Sequence, residues 1–168
     1  MEGLPGEVRA SSVVMLPHTP SSVAAARKRL CTQLLAAGVN QSTVTDAAVI
    51  VSELLSNALR HARPLPSGEV RVAWNRHGDV IEVSVSDGGA ATEPRRGQPT
   101  LSSLGGRGLS IVESLSDCCG VRREDGATTV WALLLVNRPA TEDGPIAAGS
   151  PGLGKLGHPT ANLLRGTR

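Results

Sequence analysis

Residues 69–75 (EVRVAWN) and 79–87 (DVIEVSVSD) alternate apolar and polar side chains with period two, and His77-Gly78 sits between them as a turn. Such a pair reads as an antiparallel hairpin with one buried face. A second pair, residues 120–123 and 128–136, closes around residues 124–127 in the same way. Two hairpins commit the chain to a largely antiparallel sheet and exclude a doubly wound parallel one.

Helical periods fill the rest. Val13 to Leu16 is a short apolar run ended by Pro17, read as a strand. Pro20, Ser21 and Ser22 open a helix that Gly38 closes, with Val23, Ala26, Leu30 and Leu34 on one face. Ser42 or Thr43 is expected to cap a second helix reaching about Ala62, stopped by Pro64. A short helix is expected from Gly108 to about Ser116. The expected fold class is α+β: a two-layer α/β sandwich whose mixed, mostly antiparallel sheet is covered on one face by helices. Residues 1–10 read as a loose leader and 11–137 as one domain. Residues 138–168 read as a disordered tail, because 137–168 hold six Gly and four Pro in 32 positions without apolar period.

Composition removes several function classes. A net charge of +2 offers no nucleic-acid or membrane surface. Two Trp with no Phe or Tyr leave no stacking platform for single strands, so Val, Leu, Ile and Ala must build the core. No apolar run approaches the ~18 residues of a membrane helix, and no secretory leader is readable at Met1. Cys31, Cys118 and Cys119 form neither a disulfide framework nor a four-ligand zinc site. They read as thiols in a reducing compartment, so a cytoplasmic location is expected.

Three places could carry chemistry. On the second helix, at about 100° per residue, Val44, Ala47, Val51, Leu55, Ala58 and Ala62 fall within about 40° of one line. Glu53, Asn57 and His61 stack elsewhere, at about 200°, 240° and 280° from Val51. This is either a solvated polar face or a site with a proton-accepting carboxylate and a hard oxygen donor for Mg²⁺. The strand end Ser86-Asp87-Gly88-Gly89 is either a turn former or a buried carboxylate that accepts from an exocyclic amine, with Gly89 admitting a flat ring. Gly105-Gly106-Arg107-Gly108-Leu109 opens a helix and is either a linker or an anion cradle, where free N–H groups, the helix dipole and Arg107 converge. Gly149 to Leu156 (GSPGLGKL) nearly spells a phosphate loop. It lacks the metal-binding hydroxyl at Leu156 and a preceding strand, and Pro159 breaks the helix that should follow.

Taken in order, ExxxN on a helix, DxG after a strand and GxGL opening a helix resemble the GHKL ATP-binding fold of gyrase, heat-shock chaperone, histidine kinase and mismatch-repair ATPases. Within that superfamily the chain more closely resembles the bacterial anti-sigma factor serine kinases and their stand-alone ATP-binding relatives. The stretches that carry the likeness are LPHTPSSVAAARKRL (16–30), VSELLSNALRHA (51–62), VSVSDGG (83–89), GGRGLSIVESLSD (105–117) and TTVWALL (128–134). It spans about residues 13–136 and implies a Bergerat-type sandwich.

The resemblance also implies roles. Glu53 would be the general base, and Asn57 the ligand tying Mg²⁺ to the phosphates of ATP. Asp87 would read adenine beside Gly89. Gly106, Arg107, Gly108 and Leu109 would make the phosphate-holding box. Thr129 would join the hydroxyl and water network around adenine, and His61 is structural or near the phosphates. The stretch from Gly88 to Gly105 is expected to be mobile without nucleotide. His18 lies in a Pro-flanked loop and not on a dimerisation helix, which sets a histidine kinase aside; the Gly/Pro-rich tail sets aside a transducer domain. The implied function is an anti-sigma factor with serine/threonine protein kinase activity. Its partners would be a sigma factor and an anti-anti-sigma protein of the STAS type, with dimers common in the family. Two alternatives stand beside it: an ATP-bound partner-switching module with little or no phosphoryl transfer, and a scaffold without nucleotide.

Overall fold

A computed structural model describes residues 10–90 and 107–136. The leader through residue 9, the stretch 91–106 with Gly106, and the tail from 137 lie outside the described residues. Ala10, expected at the end of the leader, is buried, and its carbonyl accepts from Arg76 N–H at 3.0 Å.

The elements run β1 (Ser11–Pro17), α1 (Ser21–Ala36), α2 (Gln41–His61), β2 (Glu69–His77), β3 (Val80–Asp87), α3 (Arg107–Leu115), β4 (Cys118–Glu124) and β5 (Ala127–Leu135). The five strands form one sheet in the order β1-β2-β3-β5-β4. Every described pairing is antiparallel, where a partly parallel sheet was expected. With two helices between them the chain reverses three times from β1 to β2, so β2 returns antiparallel to its neighbour. β4 runs in the same direction as β3, but β5 sits between them and removes the parallel contact.

Alternation gives the sheet two different faces. Val14, Leu16, Val70, Val72, Trp74, Ile81, Val83, Val85, Val130, Ala132 and Leu134 point to one side and join Ala26, Leu30, Leu34, Val44, Val51 and Leu55 of the helices in a single core. Burial of one such aliphatic side chain stabilises the fold by about 1.5–3 kcal/mol. Trp74 is the one large aromatic in this aliphatic core, and its indole N–H donates to Gln33 Oε1 at 3.0 Å. The opposite face carries Val13, Met15, Glu82, Arg122 and Trp131. There Arg122 pairs with Glu82 at 2.8 Å and lies 5.7 Å from the Trp131 ring centre.

Local chemistry sets the boundaries. The cap of α2 is Asn40, and not Ser42 or Thr43: its Oδ1 accepts from Thr43 N–H and from the Ser42 hydroxyl, both at 2.8 Å. Asn40 holds extended backbone ahead of the first turn, and its amide also donates to Val136 O, tying α2 to the end of β5. Gly38, at φ +75°, follows the end of α1. No helix among the described residues is long and apolar enough to cross a membrane.

Candidate functional site

The predicted line of α2 is buried from Val44 to Ala58 with Ala62 half-buried, and burial extends to Ile50 and Leu54 in the sector of Asn57 and His61. Val44, Ala47, Val51, Leu55 and Ala58 are buried, whereas Glu53 and Asn57 are half-buried and His61 is exposed. A carboxylate and an amide oxygen one turn apart on a partly open helix face are hard donors of the kind Mg²⁺ accepts while keeping water and phosphate in its other positions. Among the described residues no cluster of three or more His, Cys, Asp and Glu forms a closed cation cage.

The end of α2 is fastened to the end of β3. Arg63 N–H donates to Gly89 O at 2.9 Å, Gly88 N–H donates to Arg63 O at 2.8 Å, and Ala62 bridges Ala90. Ala62 therefore leaves the helix and joins the sheet edge, one residue earlier than expected. The approach is so close that a Cβ on Gly88 would stand 2.2 Å from Pro64 O. Glycine is required there for packing. At Gly89 the φ of +84° and Thr128 Oγ1, 3.5 Å from where a Cβ would be, leave the backbone open beside Asp87.

Asp87 closes the inner face of β3 and is only 5% exposed. Its Oδ1 accepts from Gly89 N–H at 2.8 Å, which fixes the carboxylate and leaves acceptor capacity for a further donor. Burial pushes its pKa up to about 6, outweighing the Gly89 N–H and the charges of His18 and Arg123, which all pull it down. Asp87 thus remains mostly ionised at neutral pH as a desolvated acceptor.

Thr129 does not share this place. It pairs in register with Ser86 and accepts or donates a 2.7 Å hydroxyl contact with Ser86 Oγ. Both residues face the far side of the sheet, where Thr129 lines a groove of about 350 Å³ with Arg71, Ser84 and Arg122. The strand alternation places Thr128 on the side of Asp87: it is Asp87's register partner and is 5% exposed. Thr128, and not Thr129, therefore lies on the face of the sheet that carries Asp87. The signal lay in the parity of Val130, Ala132 and Leu134, which puts Thr128 with the buried set. His18 and Arg123 also belong to this corner, and neither was expected there.

The third cluster begins α3. Arg107 and Gly108 form its first residues, so the backbone N–H groups of a helix N-terminus lie at that end. Leu109 is buried in the core with Val112, where its side chain anchors the helix against α2. The backbone is the part of Leu109 left for a ligand. Gly106 falls outside the described residues.

An antiparallel sheet covered on one face by helices, with an acidic strand end stitched to a carboxylate-and-amide helix, defines an α+β protein with its candidate site at that junction. A model of the histidine kinase-like ATPase domain matches residues 16–134. The chain belongs to that family. It is similar to serine-protein kinase RsbW of Listeria innocua, 26% identical over 142 residues that cover 77% of this chain and 90% of the relative. It is also similar to serine-protein kinase RsbW of Bacillus licheniformis, 29% identical over 140 residues covering 76% and 87%. In fold it resembles the RsbU and RsbW domains of Rv1364c from Mycobacterium tuberculosis, with a TM-score of 0.58, 22% identity and coverage of 74% of this chain and 32% of that one. It likewise resembles a chain of the SiaB–SiaC complex from Pseudomonas aeruginosa, with a TM-score of 0.54, 16% identity and coverage of 73% and 89%.

Proposed function

We propose that this protein is an ATP-dependent serine/threonine kinase of the anti-sigma type. In this reading it holds a sigma factor and phosphorylates an anti-anti-sigma partner with a STAS-type fold, in the cytoplasm. The single observation that carries the reading is the buried, ionised Asp87, fixed by Gly89 and stitched through Arg63 to the helix that bears Glu53 and Asn57. Similarity to proteins named serine-protein kinase supports the reaction, and the solved complex of SiaB with SiaC supports a protein partner.

Asp87 would accept from the exocyclic amine of adenine, with Thr128 and Gly89 beside the ring. The free N–H groups at the start of α3, with Arg107, would hold the phosphates. Asn57 would bind Mg²⁺, which, when bound, neutralises phosphate charge and aligns the terminal group. Glu53 would take the proton from the attacking serine hydroxyl. The new bond joins that oxygen to the γ-phosphorus as the bond to the β–γ bridging oxygen breaks, and ADP leaves with the electron pair.

The test is direct. With Mg-ATP and a candidate partner, the wild type is expected to put phosphate on a partner serine or threonine, while Glu53→Ala keeps ATP binding and loses transfer. Transfer by the wild type no greater than by Glu53→Ala, with ATP bound by both, would instead establish a partner-switching module without kinase activity.

A further inference from the structure

β1 ends the sheet on one side, and the hydrogen-bond phase of its ladder shows which backbone groups it leaves open. One step before the Ser11–Asn75 pair, Arg76 N–H donates to Ala10 O at 3.0 Å. Bonded and non-bonded pairs alternate along an antiparallel ladder. Ser12, Val14 and Leu16 therefore turn their N–H and C=O groups toward β2, while Ser11, Val13 and Met15 turn theirs outward. Among the described residues no other backbone or side chain bonds those outward groups. The open stretch stops at Pro17, which has no N–H and whose carbonyl accepts from Thr19 N–H and the Ser22 hydroxyl. Sheet edges are normally blunted by charge, proline or a bulge. β4, at the other edge, carries Arg122, Arg123 and Glu124, whereas residues 11–16 carry no charge and keep unbroken register with β2.

A groove of about 550 Å³ lies beside this edge, lined by Ser12 and Val14 of β1 and by Ala25, Lys28, Arg29 and Thr32 of α1. α1 has no acidic residue, and Arg27, Lys28 and Arg29 are all exposed. Val13 and Met15 project to the other face of the sheet, 58% and 41% exposed. A strand laid antiparallel on β1 would alternate between these two environments, cations on the helix side and apolar surface on the other. A second copy of the chain does not suit them. A two-fold axis at this edge would set α1 beside its copy and bring like charges together.

We propose that the β1 edge takes an extended segment of a partner protein as an added antiparallel strand, one whose residues alternate acidic and apolar. Ser11, Val13 and Met15 would supply the backbone hydrogen bonds. Lys28 and Arg29 would meet the carboxylates, and Val13 and Met15 would be covered by the apolar side chains. The proposal goes beyond the kinase reading and needs no nucleotide.

The test titrates the full chain, without nucleotide, into fluorescein-labelled acetyl-EVEVEVE-amide and follows anisotropy. The lysine counterpart, acetyl-KVKVKVK-amide, is expected to bind at least about tenfold more weakly. N-methylation of the valines, whose N–H groups face β1, is expected to weaken the glutamate peptide about tenfold or more, and N-methylation of the glutamates to change it by less than about twofold. In the free chain, amide exchange is expected to be fast at Val13 and Met15 and slow at Val14 and Leu16, and the peptide should slow the first pair. Val13→Pro removes one outward N–H, spares the bonds to β2 and should weaken binding about tenfold. If that variant does not fold, the double variant Lys28→Glu, Arg29→Glu carries the test and should exchange preference for the glutamate peptide for the lysine one. No binding of the glutamate peptide, equal binding of the lysine peptide, or equal effects of the two methylation patterns overturns the proposal. Slow exchange at Val13 and Met15 in the free chain overturns it too, because the edge would already be covered. So does a dimer in sedimentation that Val13→Pro dissociates, which would make a second copy the occupant. Mg-ATP plays no part in these measurements, so failure here leaves the kinase reading standing.

Discussion

Replacing Asp87 with Asn measures what the fold sacrifices to hold an ionised carboxylate in its interior. The side chain is 5% exposed, and its pKa rises from an ordinary 3.8 to about 6. The native state thus holds its proton more tightly than the unfolded chain does, and stability falls as pH rises through the interval between the two values. That rise sets a ceiling of about 3 kcal/mol on the destabilisation at pH 7. The same linkage leaves about half of that at pH 5 and about a fifth at pH 4. Asn keeps the shape and an oxygen for Gly89 N–H but carries no charge. Asp87→Asn is therefore expected to be more stable than wild type by about 1–3 kcal/mol at pH 7, with the gain shrinking several-fold by pH 4. Urea unfolding without nucleotide at pH 4, 5, 6, 7 and 8 reads this directly. Added Mg-ATP should then stabilise the wild type and leave the variant unmoved. A stability difference that stays constant across that range, or a variant weaker than wild type at pH 7, refutes the reasoning.

Two further outcomes follow from the site geometry. Thr128→Val is expected to weaken ATP binding about fivefold, the removal of one polar contact, whereas Thr129→Val on the far face leaves it unchanged; calorimetry that shows the reverse would restore the original assignment. Gly88→Ala drives a methyl group into Pro64 O, which should cost about 3 kcal/mol and lower the melting temperature by about 10 °C. A melting temperature within about 2 °C of wild type would show that the α2–β3 junction yields easily.

Much of the fold was legible because the hairpins speak in a short period. The alternation at 69–75 and 79–87 survives as β2 and β3, and the wheel of α2 separates Glu53 and Asn57 from Val51 and Leu55 as drawn. What escaped depends on partners distant in sequence. Asn40 displaces Ser42 as cap because it also reaches Val136, 96 residues away. The insertion of β5 between β3 and β4 is a choice of pairing that no single strand encodes. Within the site, two adjacent threonines have the same chemistry and differ only in parity, so a motif match cannot separate Thr128 from Thr129. Gly88 reads as turn punctuation until Pro64 is seen against it.

The scarcity of aromatic residues has a practical consequence. With no Tyr or Phe, all near-ultraviolet emission comes from two indoles, Trp74 and Trp131. Trp74 is sealed in the core against Gln33, and Trp131 lies under Arg122 on the opposite face. The pair forms a built-in two-sided reporter. In a Trp131→His chain the emission colour would report the loosening of the interior, and in a folded Trp74→Leu chain it would report what settles on the outer surface of the sheet.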